Sequence, residues 1–174
     1  VCSNTEIDLI NPSTGDVIAQ VSEANNEHVN DAVGVAKDTL ENTWKNITAR
    51  ERSTLLSTLG RLIEENYDVL ASLEATDVGK PLRQAQADVK ALARYMEFYA
   101  GAADKLHGDT IPYLEDYTVY TLREPHGVCA HIIPWNYPMQ IIGRSVGAAL
   151  ATGNTCILKP AEEACLTALA FGAL

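Results

Sequence analysis

The sequence predicts an α/β fold in which helices flank part of a parallel sheet. Two short apolar runs, 128–133 and 155–158, are each followed by a loop and a helical pattern. Strands buried in a parallel sheet are typically continuous apolar runs, and strand–helix–strand order is typical of right-handed crossovers. Ahead of these strands, residues 26–104 carry apolar side chains at three- and four-residue spacing, which predicts a block of helices.

Composition narrows the function classes before any motif is considered. The 174 residues include 13 basic and 23 acidic side chains, for a net charge of −10 at pH 7. Such a surface repels phosphate groups, so we expect neither a nucleic-acid partner nor binding to a membrane. The four cysteines form no CxxC pair and no zinc-ligand pattern, which favours reduced thiols, a cytoplasmic protein and no metal site. Both termini are typical of a portion of a longer protein.

The elements of the first half follow from local patterns. Turn-forming residues at 11–16 separate two short β-type runs, which predicts a hairpin. Thr48 and Glu51 have the spacing of a capping box, and Gly79 stands where a helix C-terminal glycine is expected. Three amphipathic helices are therefore predicted, over about 26–44, 48–78 and 82–104. The inner face of the third is expected to hold Ala85, Val89, Leu92, Met96 and Tyr99.

In the second half of the chain, the spacing of apolar side chains changes from a helical to a strand pattern. Alternating side chains at 117–123 predict a strand. Pro138 fits the first turn of a helix over about 138–151. Gly143 and Gly147 fall inside that predicted helix, so the sequence contains no glycine-rich phosphate loop of the standard dinucleotide-binding type.

The loop after the first apolar run is the first candidate site. In open α/β sheets, ligands bind beyond the carboxyl ends of the strands. Pro134 and Pro138 fix the backbone at both ends of this loop, and Trp135 and Asn136 lie between them. An asparagine amide is a neutral donor that can stabilise a developing oxyanion. In the alternative, structural interpretation, Asn136 caps the next helix and Trp135 packs in the core.

The loop after the second apolar run is the second candidate site. Lys159 leaves the strand end, and a last helix is expected to begin at Glu162 or Glu163. A carboxylate at such a position can accept hydrogen bonds from ribose hydroxyls, and the lysine can contact a ribose hydroxyl or a phosphate. In the alternative interpretation, the lysine is a surface residue and the glutamate interacts favourably with the helix dipole.

Six segments, taken together, resemble a known family. They are 11–15 (NPSTG), 79–82 (GKPL), 124–128 (EPHGV), 132–138 (IIPWNYP), 149–155 (ALATGNT) and 158–162 (LKPAE). In this order they are similar to the N-terminal portion of the aldehyde dehydrogenase superfamily. The resemblance implies an incomplete parallel-sheet NAD-binding domain formed by residues 1–106 and 126–174. It also implies that 107–125 is a strand segment of an oligomerisation domain, and that the enzyme is a dimer or tetramer.

The resemblance also implies a chemistry for the whole enzyme. A cysteine thiolate attacks the aldehyde to form a thiohemiacetal, a hydride passes to NAD+, and a water activated by a glutamate hydrolyses the thioester. Asn136 would hold the oxyanion, and Tyr137 and Ile141 would lie near the substrate entrance. Glu162 would favour the free 2′-hydroxyl of NAD+ over NADP+. The cofactor would contact Ile132, Ile133, Pro134 and Trp135 in the first loop, and Lys159, Pro160, Ala161 and Glu162 in the second.

The motifs that carry the nucleophile and the base in this superfamily do not occur in this chain. Neither a Gly-Gln-x-Cys nor a Glu-Leu-Gly-Gly type motif is present in the 174 residues. None of the four cysteines stands where it could replace the nucleophile, so we expect this chain alone not to oxidise aldehydes. Two alternatives stay open: a non-catalytic fragment of this superfamily, and a CoA-acylating semialdehyde dehydrogenase, which releases its thioester to CoA.

Overall fold

The fold opens with the predicted β-hairpin. The computed structural model describes residues 5–174, so Cys2 lies outside the described residues. Strands β1 (Glu6–Ile10) and β2 (Val17–Ser22) pair antiparallel. Their connection contains Gly15 at φ 80°, a left-handed conformation that glycine adopts without strain.

Six α-helices occur in the described part of the chain, and most of them match the predicted segments. A single 3₁₀ turn at Trp44–Asn46 follows the first helix. The helices are α1 (Asn26–Asn42), α2 (Ala49–Glu65), α3 (Tyr67–Val78), α4 (Leu82–Ala102), α5 (Pro138–Ala151) and α6 (Leu166–Gly172).

The predicted parallel strand pair is confirmed. Strands β5 (Val128–Ile132) and β6 (Thr155–Lys159) pair parallel, with α5 as the crossover between them. A separate antiparallel ribbon is formed by β3 (Thr110–Ile111) and β4 (Val119–Tyr120). The chain therefore has the predicted α/β character, with a small parallel sheet and helices packed against it.

Two predicted elements are shorter than expected. The helix predicted over 48–78 is two helices that meet at Asn66, where the backbone leaves helical geometry at φ −99° and ψ 19°. The strand predicted over 117–123 pairs only through β4. Its partner strand β3 is followed by Pro112, which has no N–H for a longer ladder.

The last helix begins later than predicted. Helix α6 starts at Leu166, and Glu162 lies in the preceding turn, where Ala161 and Ala164 form an isolated bridge. The Leu166 N–H donates to the Asp77 carboxylate at 2.8 Å. This contact with α3 satisfies a free N–H of the first helical turn, and sequence periodicity gave no sign of it.

The core lies where α4 packs between α2 and α5. Four of the five residues predicted on the inner face of α4, Ala85, Val89, Leu92 and Met96, are fully buried, and Tyr99 packs against the core half-buried. In contrast, α1 buries none of its residues completely, although it contacts β5 and β6. The helical block therefore supplies the rigid support on which the loops after β5 and β6 are held.

Two glycines allow α5 to approach α4 closely. A Cβ added at Gly143 would lie 2.6 Å from Tyr95 Cδ2, and one at Gly147 would lie 2.8 Å from Tyr99 Cδ2. Both glycines lie within α5, as predicted, and they serve helix packing.

We expect Gly143→Val to destabilise the protein by about 1–3 kcal/mol, because the added carbons overlap the Tyr95 ring. The matched control is Gly34→Ala in α1, where an added Cβ meets nothing within 4 Å. That substitution should stabilise by about 0.5–1 kcal/mol through helix propensity. Urea unfolding of both variants measures the difference, and equal stability of the two would contradict the packing role.

Candidate active site

The two candidate loops leave the same edge of the sheet. Ile132 and Lys159 are register partners at the carboxyl ends of β5 and β6. The Ile133 N–H donates to the Lys159 carbonyl at 2.9 Å, which extends the pairing by one residue. The loops that follow therefore begin side by side, as expected for the carboxyl ends of parallel strands.

The first loop presents apolar side chains to the surface. Ile132 is 78% exposed and Trp135 is 59% exposed, while Pro134 between them is also exposed. Ile133 differs, because its side chain is only 2% exposed and belongs to the core cluster. Of the four residues predicted to line a cofactor path here, Ile133 could border that path only through its backbone.

Asn136 lies exposed in this loop, and the structural alternative for it is wrong. The N-cap position of α5 is Tyr137, and no side chain caps that helix. The side chain of Asn136 makes no hydrogen bond to any other described residue. Trp135 is exposed and therefore does not pack in the core. The amide of Asn136 is thus free to donate to a ligand.

A cleft of about 250 Å³ groups the three residues predicted on the substrate side, Asn136, Tyr137 and Ile141. Sequence reasoning missed the polar residues of its wall. Gln140 and Arg144 lie three and seven residues after Tyr137, so helical periodicity could have indicated them. The complete lining is Gln84, Asn136, Tyr137, Gln140, Ile141 and Arg144.

The second loop carries exposed charges. Lys159 and Glu162 are both exposed, and Pro160 and Ala161 between them are half-buried. Because α6 begins only at Leu166, Glu162 lies four residues before that helix and not in its first turn. The alternative interpretation of Glu162 as a helix-dipole residue is therefore wrong.

A second cleft, of about 430 Å³, lies beside Trp135 and the turn of the second loop. Asp77 is a buried acid in its wall that sequence reasoning missed. One oxygen of Asp77 accepts the Leu166 N–H, and Oδ1 has no hydrogen-bond partner among the described residues. Burial raises the pKa of Asp77 to about 6, because a carboxylate away from water loses its hydration.

A buried ion cluster lies behind the first cleft, and sequence reasoning missed it too. Lys80 Nζ donates to Glu74 Oε1 at 2.8 Å and to Asp88 Oδ2 at 2.7 Å, and both carboxylate side chains are fully buried. Burial raises the pKa of Glu74, although hydrogen bonds from Lys80 and Thr167 oppose that rise. The sequence did contain one sign of this cluster. Asp88 lies three residues after Ala85, so an acidic side chain falls on the apolar stripe of α4.

Burial keeps two of the thiols neutral. It raises the pKa of Cys156 to about 12 and that of Cys165 to about 11. Because the thiolate is the reactive form, neither group is suited to nucleophilic attack at pH 7. Cys129 is the register partner of Cys156 and is half-buried in β5.

The described residues contain neither a cluster suited to a metal ion nor a helix suited to cross a membrane. Across residues 5–174, no group of three or more histidine, cysteine, aspartate or glutamate side chains is arranged to hold a metal ion. Over the same range, none of the helices has the length and apolar character needed to cross a membrane.

Comparison with known proteins identifies the family. The family model described as "Aldehyde dehydrogenase family" matches residues 1–174, which is the whole chain. The chain belongs to the aldehyde dehydrogenase family. The resemblance of the six sequence segments is thereby confirmed.

Two curated relatives show how much of an aldehyde dehydrogenase this chain covers. Aldehyde dehydrogenase family 2 member B4, mitochondrial, from Arabidopsis thaliana is 46% identical over 167 residues, which are 95% of this chain and 31% of that protein. Aldehyde dehydrogenase [NAD(P)+] 2 from Saccharomyces cerevisiae is 42% identical over 170 residues, or 97% of this chain and 34% of that protein. The chain therefore spans about a third of the length of these relatives.

Solved structures of aldehyde dehydrogenases have the same fold. A putative aldehyde dehydrogenase from Burkholderia cenocepacia superposes with a TM-score of 0.96 at 52% identity, covering 97% of this chain and 36% of that one. The NAD+ complex of aldehyde dehydrogenase from Bacillus cereus superposes with a TM-score of 0.94 at 43% identity, covering 97% of this chain and 35% of that one. The predicted fold class, an incomplete α/β domain of aldehyde dehydrogenase type, is confirmed.

Proposed function

We propose that the protein carrying this chain oxidises aldehydes to carboxylic acids with NAD+ through a cysteine thiohemiacetal. One observation carries the proposal. Asn136 is an exposed amide without an internal partner, in a cleft that it shares with Tyr137 and Ile141. The cleft lies at the carboxyl edge of the parallel strands, where α/β proteins bind their ligands.

The residues around the sheet edge fit a dinucleotide. Exposed apolar side chains at Ile132 and Trp135 offer surface for a flat ring system, and Lys159 and Glu162 offer a cation and a carboxylate for a ribose. An exposed carboxylate at Glu162 favours the free 2′-hydroxyl of NAD+ over the 2′-phosphate of NADP+. When bound, NAD+ supplies the acceptor for the hydride that leaves the aldehyde carbon.

Asn136 would then act on the carbonyl oxygen of the aldehyde. As a thiolate adds to the carbonyl carbon, negative charge develops on that oxygen, and an amide N–H aimed at it lowers the barrier. A neutral donor suits this task, because it needs no change in protonation during the reaction. Pro134 and Pro138 limit the backbone freedom of the loop and so keep the donor in place.

We assign the nucleophile to a part of the protein outside this chain. Cys156 and Cys165 have raised pKa values, and neither the nucleophile motif nor the general-base motif occurs in the sequence. Within this proposal, the 174-residue chain supplies the oxyanion donor and much of the cofactor surface, and it has no activity alone.

The segment 107–125 is proposed as the strand segment of an oligomerisation domain, between the two parts of the NAD-binding domain, 1–106 and 126–174. It carries large exposed apolar side chains, among them Tyr113, Tyr117 and Leu122. Apolar surface of this kind favours a contact with a second subunit, in a homodimer or homotetramer. A cytoplasmic location stays a prediction that rests on the reduced thiols.

The experiment is an activity assay of the intact protein with a panel of aldehydes. We expect NADH to form with NAD+, more slowly with NADP+, and the product to be the carboxylic acid. Acyl-CoA as the product when CoA is added would instead identify a CoA-acylating semialdehyde dehydrogenase. The 174-residue chain serves as the matched control, and turnover by that chain alone would contradict the assignment of the nucleophile to another part of the protein.

A further inference from the structure

Lys80 lies in the connection between α3 and α4, and the fold directs its side chain inward. The preceding residue, Gly79, has φ 74°, a left-handed conformation that turns the chain at the end of α3. The Lys80 ammonium reaches Glu74 Oε1 at 2.8 Å and Asp88 Oδ2 at 2.7 Å. The side chain of Lys80 is only 9% exposed, so this contact is shielded from water.

The third side of the ammonium faces the candidate active site. An ammonium group has three N–H donors, and the two carboxylates accept two of them. Lys80 Nζ lies 4.7 Å from the centroid of the Tyr137 ring, within the range of a cation–π contact. Tyr137 directly follows Asn136, so a buried charge holds the ring next to the proposed oxyanion donor.

A second connection links the same cluster to the first turn of α5. Asp88 Oδ1 accepts a hydrogen bond from Gln140 Nε2 at 2.7 Å and another from Gln84 Nε2 at 3.0 Å. Gln140 Oε1 in turn accepts from Arg144 at 2.8 Å. Asn136 itself has no hydrogen bond to a described residue, so its position depends on the prolines of the loop together with Tyr137 and this helical turn.

We propose that Lys80 is a positioning residue, which orients Asn136 by holding the Tyr137 ring on the buried Glu74–Lys80–Asp88 cluster. This inference rests on the proposed role of Asn136. It also explains why a charged side chain lies in the core. A role in stability alone would not require that the ammonium contact an aromatic ring of the active-site loop. Burial lowers the pKa of Lys80, but the hydrogen bonds that its ammonium donates to Asp88 and Glu74 outweigh burial, so the pKa is raised and the group stays charged.

A double-mutant cycle in the intact enzyme tests the inference. We expect Lys80→Met to lower kcat by up to about 10²-fold, because a small displacement of a catalytic group is costly. In an Asn136→Ala background the same substitution should change kcat less than about twofold, because the group it positions is already absent. The dissociation constant of NAD+ should stay the same in both backgrounds.

Additional variants separate positioning from support of the fold. Lys80→Arg keeps the charge and should recover most of the kcat lost in Lys80→Met. Lys90→Met is the control, because Lys90 is an exposed lysine of α4 whose Nζ lies 5.7 Å from the centroid of a different ring, that of Tyr67. We expect that control to leave kcat unchanged.

A further variant is available if Lys80→Met does not fold, since that change leaves two buried carboxylates without their cation. Tyr137→Leu removes the ring and keeps the ion cluster intact. It should show the same non-additivity with Asn136→Ala.

Two outcomes would overturn the inference, and they differ in whether the proposed role of Asn136 also fails. If Lys80→Met, or Tyr137→Leu in its place, lowers kcat by the same factor in both backgrounds, the cluster does not act through Asn136. In that case Asn136→Ala still lowers kcat, and the proposed function stands. If Asn136→Ala leaves kcat unchanged, the proposed role of Asn136 is wrong, and the inference about Lys80 falls with it.

Discussion

We expect Asn136→Ala to lower kcat of the intact enzyme by about 10²–10³-fold, as loss of a single oxyanion donor does in other acyl-transfer sites. The physical reason is that the amide N–H contributes only where charge develops, on the oxygen of the thiohemiacetal. The amide is exposed and has no hydrogen bond to the described residues, so its removal leaves the fold intact. Steady-state kinetics with a good aldehyde substrate measure the effect.

NAD+ affinity distinguishes the oxyanion role from a cofactor role. The dissociation constant of NAD+ should change little in Asn136→Ala, because the proposed donor acts on the aldehyde and not on the cofactor. Loss of NAD+ binding with an unchanged chemical step would instead assign Asn136 to the cofactor. Asn30→Ala, at an exposed position of α1, is the matched control and should leave both quantities unchanged.

Replacement of Glu162 by glutamine should change the cofactor preference. We expect kcat/KM for NAD+ to fall about tenfold, because a charged acceptor for the ribose hydroxyls is lost. For NADP+ it should rise by about tenfold, because the repulsion of the 2′-phosphate is removed. The ratio of the two values, measured with one aldehyde at saturation, would therefore change about a hundredfold.

The neighbouring glutamate provides the control for this prediction. Glu163→Gln removes a charge one residue away, in the same turn before α6, and should leave the ratio unchanged. If Glu162→Gln alters both cofactors equally, or neither, then Glu162 does not contact the adenosine ribose. The proposed preference for NAD+ would then have to rest on other residues.

The strands and their loops were predictable because their signals are local. The apolar runs of β5 and β6 and the two prolines around Asn136 each act within a few residues. The break at Asn66 was not predictable from periodicity. It lies in the backbone conformation of a single residue, and the residues on either side still follow a helical pattern.

The buried polar residues were not predictable for a different reason. Glu74 accepts from Thr167 Oγ1, 93 residues further along the chain, and Asp88 accepts from Gln140, 52 residues away. A charge on the apolar stripe of α4, such as Asp88, signals that a partner exists. Only the packing of the helices identifies that partner as Lys80.

The sequence by itself determined the order of helices and strands, the two loops at the carboxyl edge of the sheet, and the family. Hydrophobic periodicity, proline geometry and short motifs act over a few residues, so they can be recognised along the chain. The tertiary structure decided which residues share the cleft with Asn136, where α6 begins, and that the Lys80 ammonium contacts the Tyr137 ring. These features depend on contacts between segments far apart in the chain, which form only when the helices pack around their common core.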